Sequence, residues 1–316
     1  MYMYPPPCAE PRAAMALSKL SGDEQRILFI QLCNVLEPRL AVYLSSANNE
    51  LRTATQALLP QLRTDHEAAA ALCHKMGLRS CKKLREAKHV SCVRQSLHGG
   101  VYTGLTVADL ALLGTLGSVL PALERLALYV PAAGIDGVLR LAEGLGVGAL
   151  PAVNYLAINY MPVGDGGASA LAAALGRGAL PRLHILVLTD TAIGDAGLVA
   201  LAPALRRLPA LEYLVLQSNP FGDEGLTALV APPLPAGAPP TTTGVLTKLK
   251  TLDLFFTQVT DAGCATLAAA LDSGALPALE VLYLDHTPSS AAATAAVREA
   301  LARKISRRQA RLHTLE

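Results

Sequence analysis

Leucines recur along this chain in two alternating rhythms. Leu183-His184-Ile185-Leu186-Val187-Leu188 reads L-x-x-L-x-L, and the alternation over Ile185 to Thr189 predicts a short strand with its leucines buried. A turn follows, then a run from Gly194 to Ala202. There Leu198, Leu201 and, just beyond, Leu205 recur at three- and four-residue spacing, which predicts a helix. The pattern comes six times. Its starts are Leu120-Pro121-Ala122-Leu123, Leu150-Pro151-Ala152-Val153, Leu180-Pro181-Arg182-Leu183, Leu208-Pro209-Ala210-Leu211, Leu246-Thr247-Lys248-Leu249 and Leu276-Pro277-Ala278-Leu279. They lie 30, 30, 28, 38 and 30 residues apart. One strand–turn–helix unit cannot bury its apolar face alone, but a stack can. A fixed period of this length therefore predicts a solenoid with a long surface rather than a pocket.

The L-x-x-L-x-L segments, their period and the full helix in each unit resemble leucine-rich repeats of the ribonuclease-inhibitor type, from about Gly104 to Lys304. The resemblance implies an α/β horseshoe with a parallel sheet on its concave side and helices on its convex side. It speaks to fold, and function belongs to sites. The family places Asn or Cys three positions after the last strand leucine, bonded to the backbone of neighbouring turns. Asn219 stands there, while Pro131, Met161, Thr191, Thr257 and Thr287 hold the other equivalent positions. That implies a weaker turn ladder in which Thr hydroxyls substitute in part. Asp165, Asp195, Asp223 and Asp261 recur just before the repeat helices. Lying on separate turns, they read as helix N-caps rather than as a metal row.

The region before the repeats, residues 19–103, reads as a small all-α domain with an irregular linker, after a disordered tail at 1–18. Ser21-Gly22-Asp23-Glu24 is a capping box, followed by apolar Ile27, Leu28, Ile30, Leu32 and Leu36. Glu37-Pro38 restarts a helix, and Asn48 or Asn49 starts a third segment that Pro60 interrupts. Thr64-Asp65-His66-Glu67 is a second capping box, opening a helix that Gly77 ends. Ser80 begins one more helix, His89 to Val93 reads as an atypical first strand, and Thr106 caps the first repeat helix. The stretch Leu40-Ala41-Val42-Tyr43-Leu44-Ser45 through Leu51-Arg52 resembles the Leu-Ala-x-x-S-x-x-x-x-Leu-Arg stretch of an F-box. Leu20-Ser21 replaces that family's opening Leu-Pro, and its usual Trp is missing. The resemblance implies docking of a Skp-type adaptor and the role of substrate receptor in a ubiquitin ligase. A helical cap over the first repeat is the alternative.

Charge divides the chain. Residues 1–103 carry 13 Lys/Arg against 8 Asp/Glu, residues 104–297 carry 8 against 15, and residues 298–316 carry 6 against 2. An acidic repeat body excludes nucleic acid, which needs its phosphates neutralised. The basic end, a tail at 305–316 with Arg303-Lys304 through Arg307-Arg308 and Arg311, reads as a solvated C-terminal helix face rather than a nucleic-acid arm. Pro232 to Thr243 accounts for the long fifth interval and predicts an exposed loop at 232–245. No apolar run suits a membrane span. The cysteines at 8, 33, 73, 81, 92 and 264 show no metal-ligand spacing, which predicts reduced thiols, no metal and no cofactor. A cytoplasmic monomer is expected, with the nucleus as a second location.

Strand positions between the leucines point away from the core. The candidate protein-binding residues there are Arg125, Tyr129, Tyr155, Asn159, Tyr213, Gln217, Asp253, Phe255, Tyr283 and Asp285. Only 13 of the 316 residues are aromatic, yet five of these ten are. Such enrichment at low charge density favours a protein partner over strand propensity alone. Tyr160 and Phe256 stand one step beyond. Phosphate loops, nucleophile elbows and zinc motifs are missing, so no catalysis is expected. The alternatives are a Ran-type GTPase-activating protein, the same repeat subtype working through loop residues such as Asn159 and Asn219, and a plain scaffold or inhibitor.

Overall fold

The computed structural model describes residues 21, 24, 34–47, 52–53, 56–92, 104–230 and 246–313. The tail 1–18, the run Ile27 to Leu32, Asn48 and Asn49, and the loop at 232–245 lie outside the described residues. The chain divides into two compact units, Met1–Arg85 and Glu86–Glu316.

The first unit is helical, with α1 (Arg39–Ala47), α2 (Leu59–Lys75) and α3 (Cys81–Glu86). The first capping box forms: Glu24 N–H donates to Ser21 Oγ at 3.3 Å and Ser21 N–H to Glu24 Oε2 at 2.8 Å. The second does not. Thr64 sits inside α2, and its hydroxyl donates back to the Pro60 carbonyl at 3.1 Å. Pro60 lies in the first turn of that helix, where a proline gives up only an amide that lacks an acceptor anyway. Gly77 ends the helix in the left-handed region at φ 72°, where an L side chain would be strained. Ala41 and Leu62 pack with Val35, Leu58 and Leu59, and Arg85 pairs with Glu37. Cys73 and Cys81 are buried with their sulfurs 3.9 Å apart, and burial pushes the Cys73 thiol up to about 12.

The second unit carries a seven-stranded parallel sheet in sequential order. Its strands are β1 (His89–Cys92), β2 (Arg125–Leu128), β3 (Tyr155–Ile158), β4 (Ile185–Val187), β5 (Tyr213–Val215), β6 (Thr251–Asp253) and β7 (Val281–Tyr283). The helices between them are α4 (Val107–Thr115), α5 (Gly134–Gly144), α6 (Gly164–Gly176), α7 (Asp195–Arg206), α8 (Asp223–Val230) and α9 (Asp261–Asp272), with α10 (Ala291–His313) last. Register runs straight across the stack: Val90, Leu126, Leu156, Leu186, Leu214, Leu252 and Leu282 are successive partners. The five central leucines are at most 2% exposed, and each contributes roughly 1.5–3 kcal/mol by burial. Strands stack about 4.8 Å apart but helices need about 8–10 Å, so the sheet side of the stack is the shorter, concave side.

Two boundaries differ from the sequence expectation. β2 ends before Tyr129, and β4 and β6 end before Thr189 and Phe255, where the chain turns into the left-handed region at Asp190 and Phe256, as it does at Tyr160, Ser218 and His286, with φ between 52° and 58°. That conformation costs a non-glycine residue about 1–2 kcal/mol. It is offset by ladder bonds that continue beyond the strands, such as Tyr160 N–H to Thr189 O at 2.8 Å and Ser218 N–H to Phe255 O at 2.8 Å. The basic end is helical, as its sequence suggests, and α10 runs past the expected start of a tail at 305 to His313. Arg303 and Arg308 pair with Asp272 and Glu280, and buried Lys304 donates to the Leu279 carbonyl at 2.7 Å. Burial lowers the Lys304 ammonium to about 8.

Candidate functional site

Period-two alternation gives each strand two outward positions, and the following turn residue makes a third. Register therefore sorts the outward residues into rows. Arg125, Tyr155, Ile185, Tyr213, Thr251 and Val281 are successive partners in one. Ala127, Ala157, Val187, Val215, Asp253 and Tyr283 form the next. Tyr129, Asn159, Thr189, Gln217, Phe255 and Asp285 follow two residues further on in each repeat. Tyr155, Tyr213, Phe255 and Tyr283 fall in three rows. The reason is that each ring occupies one of three different outward positions.

The rings gather into two groups. At the first strands, the Arg125 guanidinium lies 4.1 Å over the Tyr155 ring, and Tyr129 meets Tyr160 edge to face at 5.9 Å. At the last strands, Phe255 meets Phe256 at 4.5 Å and His286 at 4.9 Å, and Phe256 stacks on His286 at 4.6 Å. Tyr213, Tyr283 and Phe256 are 39%, 46% and 49% exposed. Phe256 and His286 are not among the ten candidates read from the sequence. Phe256 is one step beyond the strand, and aligning the left-handed turn position across repeats adds His286, since Asp190, Ser218 and Phe256 stand at the equivalent place.

The polar candidates differ in how far the fold occupies them. Asn159 Oδ1 accepts Thr189 N–H at 3.3 Å, and Asp285 pairs with Arg298 at 2.9 Å. Asp253 Oδ1 accepts Phe255 N–H at 3.0 Å. Partial burial raises the Asp253 carboxyl above its ordinary range, against the opposing effect of that bond. Asn219, by contrast, is 2% exposed and wholly engaged with backbone and Thr191. Thr257 and Thr287 donate back to Leu254 and Leu284 at 2.8 and 2.9 Å and fill their turns locally, whereas the Thr191 hydroxyl lies 2.9 Å from Asn219 Oδ1 and joins the bridge between repeats.

The repeated aspartates correct the capping reading. None caps its own helix. Each lies in a first helical turn and takes amides of the next repeat instead: Asp165 from Gly194 at 2.7 Å, Asp195 from Gly222 and Gly225 at 2.8 and 2.7 Å, Asp223 from Thr260 at 2.8 Å, and Asp261 from Ser290 at 2.5 Å. The neighbouring helix start offers unbonded amides and positive dipole, and stacking puts them within reach. A Cβ on Gly225 would lie 2.9 Å from Asp195 Oδ1, which accounts for the D-x-G pattern. Replacing Asp195 by Ala should cost about 1–2 kcal/mol in urea unfolding, with Asn recovering part of it. An effect below about 0.3 kcal/mol would show that solvent replaces the staple equally well. No group of three or more His, Cys, Asp or Glu among the described residues could hold a metal ion. No described helix is long and apolar enough to cross a membrane.

The profile of the Leucine Rich repeat family matches residues 180–202, 208–230 and 245–268. Among solved structures, the chain is similar to actin-binding site 2 of leiomodin-1, at 15% identity and a TM-score of 0.36, covering 66% of this chain and 94% of that one. It is also similar to an internalin from Listeria monocytogenes, at 16% identity and a TM-score of 0.35, covering 63% and 57%. No curated protein sequence matches it. The repeats are thus leucine-rich repeats, and the second unit is their α/β solenoid.

Proposed function

We propose that this chain is a non-catalytic protein-binding scaffold that holds a partner along the concave face of its sheet. The observation that carries the reading is the outward display of Tyr213, Tyr283 and Phe256, more than a third exposed each, on a sheet fixed by the leucine core behind it. Rings on a rigid support lose little entropy on binding and bury much apolar area. The full α-helix in most units supports assignment to the ribonuclease-inhibitor subtype. The helical first unit, with its Ser21–Glu24 cap and α1, supports an F-box-like role: docking a Skp-type adaptor so that the repeats present a substrate to a ubiquitin ligase.

Two measurements test this. Partners captured by proximity labelling are titrated against the wild-type chain and against Tyr213→Ala and Phe255→Ala. Each substitution should weaken binding by about tenfold, or ~1.4 kcal/mol, while leaving the unfolding midpoint within a few degrees. Unchanged affinity in both would remove the concave face from the function. Titration with a Skp-type adaptor, comparing the whole chain with one lacking residues 1–60, tests the first unit. Binding by neither would leave that unit a cap. Stimulated hydrolysis by a Ran-type GTPase, insensitive to the two aromatic substitutions, would favour the GTPase-activating reading instead.

A further inference from the structure

Asp253 stands apart from the other acidic side chains of the sheet face. Asp285 is paired with Arg298, and Glu212 with Lys250. No cation among the described residues pairs with Asp253. Its register partners are Val215 on one side and Tyr283 on the other, with Thr251 and Phe255 two residues away along its own chain. Oδ1 accepts Phe255 N–H. Oδ2 takes no hydrogen bond from the described residues, and no sealed side-chain polar atom among them lacks a partner, so Oδ2 is open to solvent.

A half-buried carboxylate in an aromatic and aliphatic setting has lost part of its hydration without gaining a counter-charge. It therefore gains more from a cation than a solvated carboxylate does. Flanking rings favour a planar guanidinium, which can bond the carboxylate and lie on a ring face at once. The same sheet face shows this contact within the chain, where Arg125 covers Tyr155 from the neighbouring strand at 4.1 Å. The wider field agrees, since residues 104–297 carry 8 cationic against 15 acidic side chains.

We infer that the β5–β7 part of the sheet face docks a protein segment presenting an arginine side chain, held by Asp253 and flanked by Tyr283 and Phe255. This rests on the reading of the sheet face as a partner surface. The test is selection of random dodecapeptides displayed on phage against the full-length protein and its Asp253→Asn, Asp253→Lys, and Tyr213→Ala/Phe255→Ala variants. Asn keeps the acceptor for Phe255 N–H and the side-chain volume, and thermal unfolding at or above the wild-type midpoint verifies its fold. The wild-type pool should be enriched in arginine over lysine and over the starting library. The enrichment should vanish with Asp253→Asn and turn toward Asp and Glu with Asp253→Lys. A synthetic peptide from the wild-type pool should bind Asp253→Asn about tenfold more weakly or worse. Arginine enrichment that persists in Asp253→Asn, or a pool with no basic preference, overturns the inference while the aromatic face stands. Equal enrichment of lysine overturns the choice of arginine. If wild type selects nothing that the Tyr213→Ala/Phe255→Ala variant does not also select, the partner face fails, and the inference fails with it.

Discussion

Replacing Asn219 by Ala should destabilise the repeat unit by about 3–5 kcal/mol, among the largest effects open to a single uncharged side chain. Asn219 Oδ1 accepts Thr191 N–H at 3.2 Å, Ile193 N–H at 3.0 Å and the Thr191 hydroxyl at 2.9 Å. Its Nδ2 donates to the carbonyls of Leu188, Leu216 and Gln217 at 2.7, 2.9 and 3.1 Å. All this happens at a site where the side chain is 2% exposed, so water cannot take over cheaply. Each amide left without an acceptor costs about 1–3 kcal/mol. Thr is the informative second variant, because Thr257 and Thr287 show what Thr does in this turn: it donates to the carbonyl three residues back. Asn219→Thr should regain the bond to Leu216 but not the two amides of the preceding repeat, recovering less than half of the loss. Urea unfolding followed by circular dichroism reads both variants. A loss under about 1 kcal/mol for Ala would mean that the turn closes without its bridge.

Gly114→Ala should be destabilising by about 2–3 kcal/mol, although Ala favours a helix over Gly by about 1 kcal/mol. A Cβ at Gly114 would collide with the Leu141 carbonyl oxygen and lie 3.1 Å from Gly144 Cα. A Cβ at Gly144 would in turn lie 2.9 Å from the Gly114 carbonyl carbon and Thr115 N. Helices α4 and α5 thus meet backbone to backbone, and backbone cannot step aside as a side-chain tip can. Gly176 is the internal control. It ends α6, and a Cβ there would have no described atom within 4 Å, so Gly176→Ala should be neutral or stabilising by up to about 1 kcal/mol. Opposite signs in thermal unfolding support the close crossing. A neutral Gly114→Ala would mean that the helices can part at no cost.

Leucine spacing was enough to read the solenoid and the outward residues, because a strand's two faces and a helix's apolar stripe are local properties of the chain; the parallel sheet came from the resemblance to leucine-rich repeats. Sequence equally located the breaks at Ser21, Gly77 and Thr106, where a cap or a left-handed turn depends on one or two residues. It misplaced Thr64, whose capping pattern was overridden when the helix started earlier, with Pro60 in its first turn. Asp165, Asp195, Asp223 and Asp261 were legible as a recurring feature and misread as local caps. Their partners lie 27 to 37 residues away and become neighbours only through stacking. The candidate surface divides in the same way. Alternation along each strand identified Tyr155, Tyr213, Asp253, Phe255 and Tyr283 as outward. Which of them share a row, that Arg125 lies over Tyr155, and that Asp253 is left without a cation follow from register between strands about 30 residues apart. A local pattern fixes the direction of a side chain. Its neighbours depend on which distant segments the shared core brings alongside.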